Sequence, residues 1–320
     1  MSDNKSQWYK PKINTSKLRE LSQKKNLQGS IQFFVFFLLL YSVGYGAYVS
    51  NEFMITILIF MIYGQLYGFI NACQHELMHK SVFRSGWMNR AGLWCSSLLL
   101  AKEQVYNYYS HLQHHNATLI EGKDIEGQPF NRPPNIFFDS LNLIFKYRDN
   151  FGHFKAILIH SFGGTTHEAK IFVPKSKFRE MRINSRINLI FEFSIIGFSF
   201  VSQSWYPLLL IIFPRYYGGL IHNLCASTQH TGFPINANDH RLNTRTVRMN
   251  RLMCFLYWNM NYHVEHHLYP SVPFHALEKL HLELKDQLKE PSKSLLAAWK
   301  EMLKCLVIQL KNPNYSIIPN

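Results

Sequence analysis

Disulfide chemistry is the first thing this 320-residue sequence leaves out. Its five cysteines, Cys73, Cys95, Cys225, Cys254 and Cys305, form no CxxC pair and leave one over. They read as reduced thiols packed as small hydrophobes, not as a disulfide frame or a thiolate metal site. The chain also lacks internal repeats, low-complexity tracts and any recognisable nucleic-acid motif. That last absence bears on the net charge of +14. Without such a motif, anionic lipid headgroups explain the basic character more simply than nucleic acid, with an acidic electron-donor protein as the second possibility. Residues 1–30 are too long and polar for a signal peptide, and no small-residue cleavage site follows the first apolar run, so that run is expected to remain as an anchor.

What the sequence does have is apolar residues, 47 % of the total, concentrated into long runs. The mean hydropathy of −0.13 shows that large polar segments accompany those runs. The expectation is an all-α protein: an integral membrane bundle of four helices with a helical cap on the cytoplasmic side. The spans fall at about residues 31–50, 53–73, 187–203 and 205–223, the first being some 20 residues, enough to cross ~30 Å of hydrocarbon. Lys and Arg number 7 in residues 1–30, 15 in 74–186 and 11 in 224–320, and none falls in the turns at 51–52 and 203–204. By the positive-inside rule, the three basic segments, and with them both termini, are expected on the cytoplasmic side. Trp205 and Tyr206 suit the interfacial aromatic belt, Pro214 is expected to kink the fourth helix, and Arg215 is expected to face protein, water or headgroups. Residues 88–101 are too short to span and read as a re-entrant or interfacial helix, residues 121–134 as a loop, and 135–147 as a helix on the membrane face. In linear terms the chain divides into a basic N-terminal segment (1–30), a membrane domain (31–282) and amphipathic C-terminal helices (283–320).

Histidine is the residue whose placement points to chemistry. His263, His266 and His267 stand at i, i+3 and i+4, which on a helix puts three imidazoles on one face. His111, His114 and His115 repeat that spacing, and His75 and His79 form an i, i+4 pair. Neutral imidazole is the commonest metal ligand. Three clusters supply eight histidines, with His230 a plausible ninth. A catalytic zinc takes three protein ligands and a water, so this set overfills one zinc and suits a two-metal site. A continued second helix places His75 ~33 Å beyond Phe53, just past the hydrocarbon boundary on the basic side, and His230 is expected at a similar height along a continued fourth helix. His222, His240, Asp124, Asp239 and Glu265 are candidates to hydrogen-bond the ligands, each with a bland packed or solvated alternative.

HELMH, HLQHH and HVEHH, in that order between paired apolar runs, resemble the three histidine boxes of membrane-bound fatty acid desaturases and related hydroxylases. Gln229-His230-Thr231 is similar to that family's isolated histidine, Asn116–Asp124 to its second-box extension, and HVEHHLYPSVPFHA (263–276) to its third-box segment, the likeness covering roughly residues 53–282. It implies His75, His79, His111, His114, His115, His230, His263, His266 and His267 as ligands of two irons, with no further catalytic residue. Two departures stand out. Ala226 occupies the place where the stearoyl-type subgroup has a water-holding asparagine, and the third box begins with His263 rather than the glutamine of front-end desaturases.

The resemblance further implies dioxygen as co-substrate, a lipid or fatty-acyl substrate, and electrons ultimately from NAD(P)H. With no fused haem-binding domain visible, a separate ferredoxin or small haem protein with its reductase is expected to deliver those electrons. A bacterial inner membrane is favoured over the endoplasmic reticulum. Hydroxylation on the same irons is the alternative within the family. Outside it stand an intramembrane zinc protease using His75, Glu76 and His79 of the HExxH match, and a histidine-rich metal transporter. The transporter would put its ionisable residues at midplane, whereas these clusters lie outside the apolar runs.

Overall fold

A computed structural model describes residues 8–127 and 130–318. Of the expected basic N-terminal segment, residues 1–7 therefore lie outside the described residues. Every regular element among the described residues is a helix, and the one β contact is an isolated bridge between Val247 and Ser292. The chain folds as two compact units, one made of Lys25–Ser110 and Ser140–Leu224, the other of Met1–Lys24, His111–Asp139 and Cys225–Asn320. All five cysteines are free thiols.

In the first unit, Asn26–Val49 and the 26-residue run Phe53–Met78 are long and apolar enough to cross a membrane. Neither stretch carries a charge before Glu76, so nothing in the sequence interrupts backbone pairing with an exposed ionic group. Phe34, Leu38, Phe53, Met54, Leu58 and Met61 are exposed on them, an apolar surface that suits lipid better than water. Most of the third expected span belongs to a longer helix, Phe178–Val201, whose first half carries Arg179, Arg182 and Arg186. Its buried face is polar, with Asn184, Ser185, Asn188 and Glu192. Glu192 answers the question of Arg215: the guanidinium donates to both carboxylate oxygens at 2.9 and 2.8 Å, and to the carbonyls of Leu99 (2.7 Å) and Leu98 (3.2 Å). The charge faces protein, fully partnered.

The expected fourth helix is not continuous. Residues Leu208–Ile212 form a π-helical turn, Pro214–Tyr217 a single α turn, and a new helix starts only at Leu220. Pro214 has no N–H to donate, and the widened turn before it strands further carbonyls. Tyrosine hydroxyls take over: Tyr217 donates to Leu209 O (2.9 Å), Tyr63 to Leu210 O (2.7 Å) and Tyr67 to Ile211 O (2.8 Å). Gly218 then runs extended and Gly219 adopts φ +83°, a left-handed conformation that favours glycine. This break is pressed against Gly64 and Gly68, with Gly219 N–H donating to Gly64 O at 3.0 Å. A Cβ on Gly68 would lie 2.3 Å from the Gly219 Cα, and backbone cannot yield as a side chain does. Gly68→Ala is accordingly expected to destabilise the protein by about 1–3 kcal/mol, read as a lower thermal midpoint in detergent. An unchanged midpoint would mean that the two backbones do not meet this closely.

The second unit is built from short helices fixed by side-chain caps. Asn14, Asp239, Asn250 and Ser294 accept from backbone N–H groups at the starts of Thr15–Leu21, His240–Asn243, Arg251–Leu256 and Leu295–Gln309. Backbone bonds from Arg245 N to Gln229 O (2.8 Å) and from Val247 N to Asn261 O (2.9 Å) bring the segments around His230 and His263 together. Asn236 ties that ensemble to the second-box extension, its N–H donating to Leu119 O and its side chain accepting from Glu121 N–H, both at 3.0 Å. Leu119, Phe233, Cys305 and Ile317 pack beneath as an apolar core.

Candidate metal centre

The predicted helical spacing is found in all three boxes. His263–Leu268 is a helix, His111, His114 and His115 end the helix Gln104–Asn116, and His75 lies on Ile70–Met78 with His79 as its C-terminal cap. His230 is not on a continued helix: Leu220–Ser227 ends before it, and it sits in the turn that follows, where Gly232 takes φ +89°.

Within the second unit, the ligand atoms of His114, His230, His263 and His267 lie within 4.8 Å of one another, all four residues buried. Those of His111, His115 and His266 are equally close to each other. In the first unit, His75 and His79 are a pair, ring centroids 5.4 Å apart. Glu76 between them is wholly buried and its carboxylate accepts from Ser81 Oγ at 2.9 Å.

The hydrogen bonds fix which nitrogens face inward. His230 Nδ1 lies 2.9 Å from Asn243 O, a carbonyl that can only accept, so the ring proton is on Nδ1. Thr118 spends its hydroxyl proton on His114 O (2.7 Å), so its oxygen accepts from His267 Nδ1 at 3.2 Å. The Nε2 atoms of both rings are thus lone pairs in the neutral state, and they lie 3.0 and 3.2 Å from His263 Nε2. One His263 proton can satisfy one of them, never both. Lone pairs crowded in this way repel unless a cation lies among them. The outer nitrogens of the other rings are held as metal-binding histidines usually are: His114 Nδ1 meets the buried Asp124 carboxylate at 2.9 Å, His111 Nδ1 meets Glu126 at 3.1 Å, and His263 Nδ1 meets the Gln229 amide at 3.1 Å. The donor set is therefore borderline nitrogen, with orienting carboxylates one bond further out, which fits iron, zinc or copper.

Burial in a dry setting pushes the imidazoles towards neutrality. His263, His266 and His267 are held well below the ordinary histidine value, chiefly by burial and then by neighbouring rings, and His230 falls to about 3 for the same reasons. His114 moves the other way: burial would lower it, but the Asp124 carboxylate raises it overall and is itself held far below the usual carboxylate range. A bound cation would reverse that preference by its own charge. For the depressed group the sign is clear: the unfolded chain binds protons near pH 6.5 while the folded chain does not. Stability therefore falls as pH falls through that value towards about 3. Chelator-treated protein is expected to show a lower unfolding midpoint at about pH 5 than at about pH 7. A flat profile would show that these rings are not dry.

Of the candidates for holding the ligands, Asp124 does so, and the His240 ring lies 5.0 Å from that of His267. Glu265 instead accepts from Thr246 (2.6 Å) and meets His281 (2.5 Å), Asp239 caps a helix and pairs with Arg241, and His222 packs edge-on to Phe69 in the first unit. Sequence reasoning missed Thr118, Glu126, Gln229 and Asn243. Only Gln229, next to a ligand, carried a local signal, because the others reach their rings through the fold.

Among the described residues the regular elements are all helices, two of them long and apolar enough to cross a membrane, and the buried, clustered imidazoles could hold metal ions, the features of a histidine-rich metal-binding class. The family model described as fatty acid desaturase matches residues 52–298. The chain belongs to the fatty acid desaturase family, and with it to the oxidoreductases of lipid metabolism. No curated protein matches the chain.

Proposed function

We propose that this protein is a di-iron desaturase that uses dioxygen and externally supplied electrons to place a double bond in a fatty-acyl chain. The observation that carries the reading is the pair of inward lone pairs on His230 and His267 facing the His263 Nε2 atom, with His114 completing a four-nitrogen group. That group would hold one iron. The trio His111, His115 and His266 would hold a second iron, and His75 and His79 are proposed as ligands on the family membership. Bound iron would supply the capacity to activate dioxygen for attack on an unactivated C–H bond.

The chain's own contribution is preparation. It keeps His230, His263, His266 and His267 neutral by burial, fixes ring orientation through Asn243, Thr118, Asp124 and Glu126, and excludes water from the reacting centre. Four spans, with the termini and the histidines on the cytoplasmic side of a bacterial inner membrane, complete the proposal. The electron source is NAD(P)H acting through a ferredoxin or small haem protein. Ala226 leaves the metal nearest it without the asparagine-held water of the stearoyl-type subgroup, so coordination there is completed by other means.

The test is reconstitution of purified protein with iron, a reductant chain, dioxygen and acyl lipids, with products identified by mass spectrometry and metal counted per chain. An alkene with about two irons supports the proposal. An alcohol product moves it to hydroxylation on the same site, and one zinc with no lipid product overturns it in favour of the protease. Glu76, tied up by Ser81, is poorly placed as that protease's general base.

A further inference from the structure

The first described residues of the chain form a strap across the second unit. Tyr9 N–H donates to Asn238 O at 3.2 Å, and the Arg241 guanidinium lies over the Tyr9 ring at 3.3 Å. Pro11 O accepts from the Tyr269 hydroxyl (2.8 Å), and Lys12 and Gln287 exchange two hydrogen bonds of 2.7 Å. These contacts hold the partly exposed Trp8 in one place. Its indole stacks on His240 with centroids 4.4 Å apart and planes 19° from parallel. His240 is buried and makes the next contact inward, its ring 5.0 Å from that of His267. Three π systems in van der Waals succession thus lead from the surface to one of the four inward-facing imidazoles. No metal-binding role requires Trp8, and the residue is only partly buried.

The rim around this ring column is basic. Lys10 and Lys12 are exposed beside Trp8, and Lys285 and Lys289 are exposed on either side of Gln287, which is bonded to Lys12. Asp286 and Glu290 lie in the same stretch and offset part of that charge. Asp239 does not add to the offset, since it is neutralised by Arg241 at 2.7 Å. A central aromatic surrounded by charged, solvated residues is how anchor residues sit in protein interfaces.

We propose that Trp8 and His240 form the port through which a separate, acidic one-electron donor protein reduces the metal at His267. This rests on the oxidase reading given above. In each encounter one electron leaves the donor's iron–sulfur or haem centre and arrives on the oxidised metal; no bond is made or broken and no proton moves. Electron tunnelling through space falls far more steeply than through packed atoms. The indole and imidazole therefore shorten the gap a donor must cross, and the lysines steer the donor onto it.

The experiment uses the full-length chain in detergent, loaded with iron, together with an acidic ferredoxin. Stopped-flow bleaching of the ferric absorption is followed with reduced ferredoxin and, separately, with dithionite. Donor affinity is titrated on the metal-free chain. Trp8→Ala is expected to slow ferredoxin-driven reduction at least about tenfold, the scale of losing an interface anchor, while dithionite reduction is unchanged. Trp8→Phe keeps most of the wild-type rate. The pair Lys10→Glu and Lys12→Glu is expected to weaken ferredoxin binding about tenfold at low salt and to flatten its salt dependence. Equal slowing by both reductants in Trp8→Ala would make Trp8 a structural plug, and an unaltered ferredoxin rate would place the port elsewhere; either overturns the proposal. If wild-type protein shows no reducible ferric signal, the oxidase reading fails. The port is then judged on ferredoxin binding to the metal-free chain, which must weaken in Trp8→Ala for it to survive.

Discussion

His263→Ala is expected to empty the four-histidine group and abolish oxidation. The His263 Nε2 atom lies 3.0 Å from that of His230 and 3.2 Å from that of His267, so it is the one nitrogen that both neighbours share. Its removal leaves three imidazoles around a site that needs the fourth, and opens a void in a wholly buried position. A bound metal contributes several kcal/mol to the barrier it lowers, so turnover is expected to fall by at least about a thousandfold. Iron per chain falls with it. The helical circular dichroism signal is retained, because the ring caps no helix and its backbone bonds remain. His167→Ala, at an exposed position with no assigned role, serves as the control and keeps its iron. A His263→Ala protein with full iron content would remove the four-nitrogen group from consideration.

The second large effect concerns stability. Glu192→Ala leaves the Arg215 guanidinium, 9 % exposed, with two backbone carbonyls and no countercharge. Breaking a buried pair by deleting one partner costs about 3–5 kcal/mol, a large share of the ~5–15 kcal/mol that holds a domain folded. Arg215→Ala is expected to be similarly damaging, since the carboxylate is then stranded. The double replacement Glu192→Leu with Arg215→Met is the informative companion: with both charges gone, most of the loss is expected to be recovered. Thermal midpoints in detergent, compared across the wild type, Glu192→Ala, Arg215→Ala and the double Glu192→Ala with Arg215→Ala, give the coupling between the two positions. Additive losses would show that the pair contributes packing rather than charge neutralisation.

The first two apolar runs were legible because nothing in them competes with a helix, and their ends fall at polar residues. The histidine spacing was legible because a period of three and four residues has one common structural meaning. The fourth span is interrupted where a kink was expected at Pro214, but composition alone does not reveal that the helix breaks fully there, nor that hydroxyls from a distant helix make good the loss. Gly64 and Gly68 stand four apart, a spacing that favours close helix contact, yet their partner Gly218-Gly219 is more than a hundred residues away. Trp8 gave no sign of its contact with His240 for the same reason: stacking between remote segments leaves no periodic trace.

The tyrosines around the broken segment carry one last consequence. A phenol and a phenyl ring have nearly the same shape, and in an ordinary apolar interior they exchange at small cost. At Tyr63 they are not equivalent. Phenylalanine there would take away the hydroxyl that the Leu210 carbonyl accepts from at 2.7 Å. A tolerance map of this protein should therefore mark a single oxygen atom, not an aromatic ring, as the immovable part of that position.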